Sequence, residues 1–215
     1  MKIGVFDSGV GGLSVANAVK KALPEAEVIL REDKENLPYG NKSPEQLLSL
    51  VAPILKEMVE AGCEVIIVAC NTVTTTIINQ LRERISVPLI GMEPMVKPAS
   101  EITKSGVIAV FATPTTLSSK RYAQLKENFA KGIKVIEPDC SNWSWLIENN
   151  QVDVDQIKQN VDFVLKARAD VIVLGCTHYH WIRSLIESFT DGKATVLQPE
   201  QPVIEQLKKV IAQQS

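Results

Sequence analysis

Two short stretches of this chain are near-copies of each other, and together they set most of what it can fold into. Residues 64–73 read Glu64-Val65-Ile66-Ile67-Val68-Ala69-Cys70-Asn71-Thr72-Val73, and residues 170–179 read Asp170-Val171-Ile172-Val173-Leu174-Gly175-Cys176-Thr177-His178-Tyr179. Each opens with an acid, runs through mainly β-branched or aliphatic residues, passes one small residue and reaches Cys followed by a polar side chain. An apolar run of that length between polar residues reads as a fully buried strand of a parallel sheet. A helical pattern follows each Cys, so both thiols are expected at the carboxyl end of a strand, where a helix begins. In open α/β sheets that edge is where ligands bind.

The rest of the chain alternates in the same way. Lys2 to Phe6 is a strand, and Asp7-Ser8-Gly9-Val10-Gly11-Gly12 turns it into a helix over Leu13 to Leu23. Glycines there provide for close backbone approach and positive φ, and the free amides at the helix start form an anion site. Val28 to Leu30 is the second strand. A charged loop then holds Pro38-Tyr39-Gly40, and Ser43 caps a helix with Leu47, Leu48, Val51, Leu55, Met58 and Val59 on its apolar face. A helix to Arg84 and a strand from Pro88 to Gly91 follow the first Cys strand. Beyond a boundary near Glu93 come a helix to Thr103 and a strand from Gly106 to Ala112 that ends in Thr113-Pro114-Thr115-Thr116. Helix Ser118 to Phe129, strand Ile133 to Pro138, a short helix with Trp143, Trp145, Leu146 and Glu148, and helix Val154 to Ala167 lead to the second Cys strand. A helix to Ser188, a strand from Ala194 to Leu197 and a helix from Pro202 to Ala212 close the chain. This rhythm predicts an α/β protein with largely parallel sheets in two similar halves.

Composition narrows the function. A net charge of −2 carries no footprint for nucleic acid or an anionic membrane. No apolar run approaches the ~18 residues of a membrane span, and the N-terminal apolar run is stopped by Asp7, unlike a secretory signal. The four cysteines form no C-x-x-C pair. A disulfide framework is therefore not expected, and a reducing cytoplasm fits. A zinc site from Cys70, Cys140, Cys176 and His178 is disfavoured because zinc cysteines usually come in close pairs. The run Gly9-Val10-Gly11-Gly12 misses the dinucleotide fingerprint. Glu32 and Asp33 lie where such a site would want an acid, yet Asp7 before the glycines would repel a pyrophosphate. A small carboxylate ligand is the better expectation.

Two strand-end cysteines suggest a particular chemistry. A thiol at a helix N-terminus is expected to ionise below the free value of about 8.5. Cys176 with His178 could by itself supply a nucleophile and a base. Cys70 in an equivalent setting asks for a different reaction, in which one face of a carbon loses a proton and the other gains one. Backbone amides and side chains at Ser8, Asn71, Thr116 and Thr177 are placed to hold a carboxylate. The two sulfurs are then expected ~7 Å apart, each reaching a shared carbon at ~3–3.5 Å. Taken singly, either cysteine reads equally well as a buried apolar filler. Asp7 or His178 alone reads as a helix cap, and Glu148 alone as a solvated helix residue; the pairing decides. No metal, flavin, pyridoxal phosphate or nucleotide is required.

The chain resembles the glutamate racemase family of the aspartate/glutamate racemase superfamily, whose members need no cofactor. The resemblance is carried by residues 3–15, Pro38-Tyr39-Gly40-Asn41-Lys42-Ser43, Ala69-Cys70-Asn71-Thr72, Ala112-Thr113-Pro114 with Thr116, and Leu174-Gly175-Cys176-Thr177-His178-Tyr179. It implies interconversion of L- and D-glutamate for bacterial peptidoglycan, with Cys70 and Cys176 as catalytic thiols on opposite faces. Asp7 would support Cys70, while His178 and Glu148 would support Cys176. Asp7, Ser8, Tyr39, Gly40, Asn71, Thr72, Thr116 and Thr177 would hold the substrate. The implied fold is two pseudo-symmetric α/β domains, 1–93 with 198–215 and 94–197, with the site between them. The expected partner is the small-molecule amino acid glutamate, with no nucleic acid and no membrane; a homodimer is left open. The charged run 31–36, Thr115 where Gly is common, and a chain that stops soon after Pro202 depart from the family pattern. A related racemase for aspartate, or an amino-acid- or protein-binding relative without turnover, stands as the alternative.

Overall fold

In the computed structural model, which describes residues 1–214, the apolar runs become two four-stranded parallel sheets. The first holds β1 (Lys2–Asp7), β2 (Glu27–Glu32), β3 (Val65–Val68) and β4 (Leu89–Gly91), with α1 (Gly11–Ala22), α2 (Pro44–Glu60) and α3 (Asn71–Arg82) between them. The chain then runs through α4 (Val96–Ile102), β5 (Val107–Ala112), α5 (Pro114–Ser118), α6 (Lys120–Phe129) and β6 (Lys134–Ile136). It continues through α7 (Trp143–Glu148), α8 (Val154–Lys166), β7 (Val171–Gly175), α9 (Arg183–Thr190) and β8 (Thr195–Leu197). The spatial orders are β2-β1-β3-β4 and β6-β5-β7-β8, so the two sheets share one topology. The last helix, α10 (Glu200–Gln214), goes back to the first sheet. Its Val203, Ile204 and Leu207 pack in one layer with Ile3, Val5, Val65 and Ile67. Among the described residues no helix is long and apolar enough to cross a membrane.

The unbroken apolar character of the two Cys strands follows from helices on both faces of each sheet. Every residue of β3 and β7 is buried. Ile66 and Val68 face one layer with Leu47, Val51 and Leu55 of α2, while Val65 and Ile67 face the layer of α1 and α10. Each such Val or Ile contributes about 1.5–3 kcal/mol relative to exposure.

Register fixes which residues leave the sheets side by side. In the first sheet Phe6 pairs with Val68, and the Ala69 amide donates to the Phe6 carbonyl at 2.8 Å. Asp7 and Cys70 therefore emerge as neighbours. In the second sheet Ala112 pairs with Gly175, which sets Thr113 beside Cys176. A Cβ on Gly175 would stand 2.9 Å from that of Ala112, so this pairing needs glycine.

Local signals act largely as expected, with three differences. Ser43 starts α2 through a capping box, its Oγ accepting from the Gln46 amide and Gln46 Oε1 accepting from the Ser43 amide at 2.9 Å. Such a cap contributes ~1 kcal/mol. The helix expected over Ser118 to Phe129 is present as α6, but a separate short helix, α5, precedes it. Thr113 and Pro114 start α5 early, and Ser119 Oγ accepts from the Tyr122 amide to start α6 anew. Strand β2 reaches Glu32, inside the expected loop, because it stays paired with β1 as far as Asp7. The segment after Cys176 opens as a 3₁₀ turn, Thr177–Ile182, before α9 begins.

Candidate active site

The glycine turn after β1 is where the two halves meet. The expectation of positive φ there is wrong: the positive-φ glycines are Gly62, Gly106, Gly132 and Gly192. Glycine is needed for proximity instead. A Cβ on Gly9 would collide with Glu148 Oε2 and lie 2.8 Å from His178 Nε2, and one on Gly11 would lie 2.7 Å from the backbone carbonyl carbon of Thr177. The anion expected at this helix start is supplied by the protein itself, since the Val10 amide donates to Glu148 Oε2 at 2.9 Å.

Glu148 arrives there through an aromatic stack. Trp143, at the start of α7, lies 5.3 Å centroid to centroid from both Phe111 of β5 and Tyr179, edge to face. Such contacts contribute roughly 0.5–1.5 kcal/mol each beyond buried area. The Tyr179 hydroxyl donates to the Cys140 carbonyl at 2.9 Å, and the Trp143 indole donates to Gln156 Oε1 at 2.9 Å. Pinned at its start, α7 ends with Glu148 Oε2 2.8 Å from His178 Nε2. On the other side of the ring, His178 Nδ1 is 3.9 Å from Cys176 Sγ. Glu148, which reads as an ordinary solvated helix residue in the sequence, thus ends a line of three groups.

Cys70 has different company. It caps α3, its Sγ donates to Ser8 Oγ at 3.7 Å, and Asp7 lies beside it. Asp7 is fully buried and accepts from Thr177 Oγ1 at 3.1 and 3.2 Å, joining the two halves. The expected fall in thiol pKa is reversed at Cys70. Burial, then the Asp7 charge and to a smaller degree Cys176, push it up to about 12 against the help of the Val73 amide and Ser8. A helix terminus cannot offset removal from water next to a carboxylate. Burial also raises Asp7, opposed by His178, Thr177 and local amides. For His178, burial disfavours the charge, but Cys176, Glu148 and Asp7 outweigh it and push its pKa up to about 10. Burial likewise works against Glu148, yet His178 and the Val10 amide hold it below its usual range.

The other expected site residues fall into two groups. Thr72, Thr113 and Thr116 form a buried hydroxyl cluster with Oγ1 separations of 3.0 to 3.4 Å, bridging α3 and α5. Asn71 Nδ2 donates to the Met92 carbonyl at 3.2 Å, leaving its buried Oδ1 with no partner. Tyr39 is buried, its hydroxyl donating to Asp33 Oδ2 at 2.5 Å, and Thr115 Oγ1 donates to the Gly40 carbonyl. Asp33, weighed in the sequence as a ribose-binding acid, instead fixes this loop; it also accepts from Asn36 Nδ2 at 2.8 Å. Sequence reasoning gave neither the bond of Asp33 to Tyr39 nor any role of its own to Thr113. Only the hydroxyl-rich strand end at Thr113 gave a signal. All four cysteines are free and buried. Among the described residues no three His, Cys, Asp or Glu side chains are grouped as a metal ion would need.

Known proteins share this fold and much of this sequence. The family model described as Asp/Glu/Hydantoin racemase matches residues 13–207. The glutamate racemase of Pseudomonas syringae pv. tomato is 38% identical over 215 residues, 98% of this chain and 78% of the relative. That of Herpetosiphon aurantiacus is 38% identical over 98% of this chain and 84% of its own length. Among solved structures, Escherichia coli glutamate racemase in complex with L-glutamate and the activator UDP-MurNAc-Ala superposes with a TM-score of 0.88 at 27% identity, covering 98% of this chain and 82% of that one. The Francisella tularensis enzyme in complex with D-glutamate gives 0.82 at 27% identity, covering 99% and 81%.

Proposed function

The chain belongs to the Asp/Glu/hydantoin racemase family, and on that footing we propose that it interconverts L- and D-glutamate with Cys70 and Cys176 as the two proton-transfer groups. The observation that carries the reading is the meeting of two strand-end thiols, one from each sheet, around Asp7. One sulfur, as thiolate, takes the α-proton from one face of the substrate carbon. The other, as thiol, returns a proton to the opposite face, and the two have then exchanged roles for the reverse reaction. The intermediate carries negative charge into its carboxylate. Amides and hydroxyls at Ser8, Asn71, Thr72, Thr116 and Thr177, held in a site largely closed to water, offset that charge. The unpartnered Oδ1 of Asn71 suits the substrate ammonium.

Asp7 and the His178–Glu148 pair keep the two sulfurs supplied with protons. His178 holds a proton at neutral pH, since its pKa is raised to about 10, and stands next to Cys176. Asp7 lends its charge to the Cys70 side. Tyr39 and Gly40 close the substrate loop. The product D-glutamate would serve peptidoglycan synthesis in the cytoplasm.

Incubation with L-glutamate in deuterated water tests the proposal. The expected result is deuterium at the α-carbon together with loss of optical rotation. Exchange only with aspartate would move the substrate, and no exchange with any amino acid would leave a binding protein.

A further inference from the structure

Both thiols are nearly closed off, with Cys70 5% and Cys176 7% exposed. Substrate therefore needs a way in. A cavity of about 210 Å³ opens beside the site between the two halves. Lys34, Leu37 and Pro38 line it from the loop after β2, and Ser144, Trp145 and Glu148 line it from α7. Its inner wall is thus the carboxylate that holds His178. Its outer wall carries one cation, Lys34, whose ammonium lies 3.2 Å from Glu32 and is half exposed. That cation sits on a 3₁₀ turn (Lys34–Asn36) tied to the site: Asp33 bonds Asn36 and Tyr39, and its amide donates to the Asp7 carbonyl.

An anionic amino acid crossing this space passes the carboxylate of Glu148, and Lys34 is the one cation among the residues that line it. Resting against Glu32, Lys34 has a partner of the substrate's own chemistry to exchange. Resting on the glutamate reading above, we infer that the cavity lined by Lys34, Trp145 and Glu148 is the substrate portal. Lys34 acts there as a positioning residue that draws the side-chain carboxylate of an α-amino dicarboxylate toward the thiols. The lysine touches substrate in transit and not at the reacting carbon. Its loss therefore slows capture more than turnover.

The portal is tested without relying on turnover by thiol labelling. Full-length protein and the variants Lys34→Glu and Lys34→Arg are treated with iodoacetate, an anion, or iodoacetamide, its neutral analogue, and labelling at Cys70 and Cys176 is followed by peptide mass spectrometry. Cys63, packed under Gly4 in the first sheet, reports general opening. Lys34→Glu should lower the iodoacetate-to-iodoacetamide ratio at the two site thiols roughly fivefold at low salt, leave the Cys63 ratio unchanged, and lose the effect in high salt. Lys34→Arg should keep the original ratio. In racemisation assays Lys34→Glu should reduce kcat/KM for glutamate about tenfold with kcat altered less than twofold. A ratio that does not move, in protein that racemises glutamate normally, overturns the portal. A shifted ratio in protein that exchanges no glutamate keeps the portal and overturns the glutamate reading. A change shared by Cys63 means that the substitution loosens the fold, and also overturns the portal.

Discussion

The two sheets are built alike, yet the thiols they present are not. Cys70 faces a hydroxyl and a buried carboxylate, and its proton is held up to a pKa of about 12. Cys176 faces an imidazole that keeps its own proton up to about 10 with Glu148 behind it. One topology, repeated, fixes where each sulfur stands; the side chains around it come from its own half, Asp7 and Ser8 at Cys70 and His178 with Glu148 behind it at Cys176. Asp7 reaches Thr177, and Glu148 reaches the Val10 amide, so the surroundings of each cysteine are tied to the other half. A racemase acts on mirror-image substrates, and here the two strand-end thiols have unlike surroundings.

That contrast can be broken most sharply at the sulfurs. Cys70→Ser and Cys176→Ser should each reduce racemisation by roughly 10³-fold, measured by polarimetry in both directions. Full activity in either variant would remove the two-thiol reading. Next in size is Glu148→Gln, which takes the anion from His178 and from the Val10 amide and should reduce kcat by about 10²-fold.

The same variant sharpens the pH behaviour. His178 has a folded pKa near 10 against an ordinary 6.5, so its contribution to stability is complete below 6.5 and is lost as pH rises through about 10. The thermal midpoint should fall across that window. In Glu148→Gln the fall should be smaller and should end at lower pH, and calorimetry at stepped pH reads the shift.

Asp7→Asn should pull Cys70 down from about 12, since it removes the charge that adds to the effect of burial, and the change is readable as thiolate absorbance in an alkaline titration. An unchanged Cys70 titration would mean that burial alone sets the value. The smallest effect is expected at Ser8→Ala. Its contact with Cys70 is a long 3.7 Å, and activity should fall only a few-fold, against a much larger loss in His178→Ala.

How much of this could be read in the sequence depends on how far each cause lies along the chain. The Cys strands, the Ser43 cap and the α2 face were legible because period and capping are local. The equivalent strand-end positions of Cys70 and Cys176 were legible because the chain states its motif twice. Glu148 drew only a resemblance, for its partners are Val10 and His178, brought to it by Trp143 stacking on Phe111 and Tyr179. The role of Asp33 was not legible because its bond to Tyr39 depends on the fold of a loop whose pattern is merely polar. The Cys70 pKa was judged in the wrong direction because a helix start is visible in sequence and desolvation is not.

The place of α10 has a consequence for how this molecule comes into being. A ribosome delivers β1 and β3 before any strand of the second sheet, but the apolar layer over Ile3 and Val65 lacks Val203, Ile204 and Leu207 until all of that sheet's strands have emerged. The half that begins first must therefore be completed last, waiting with part of one side uncovered while the later half assembles.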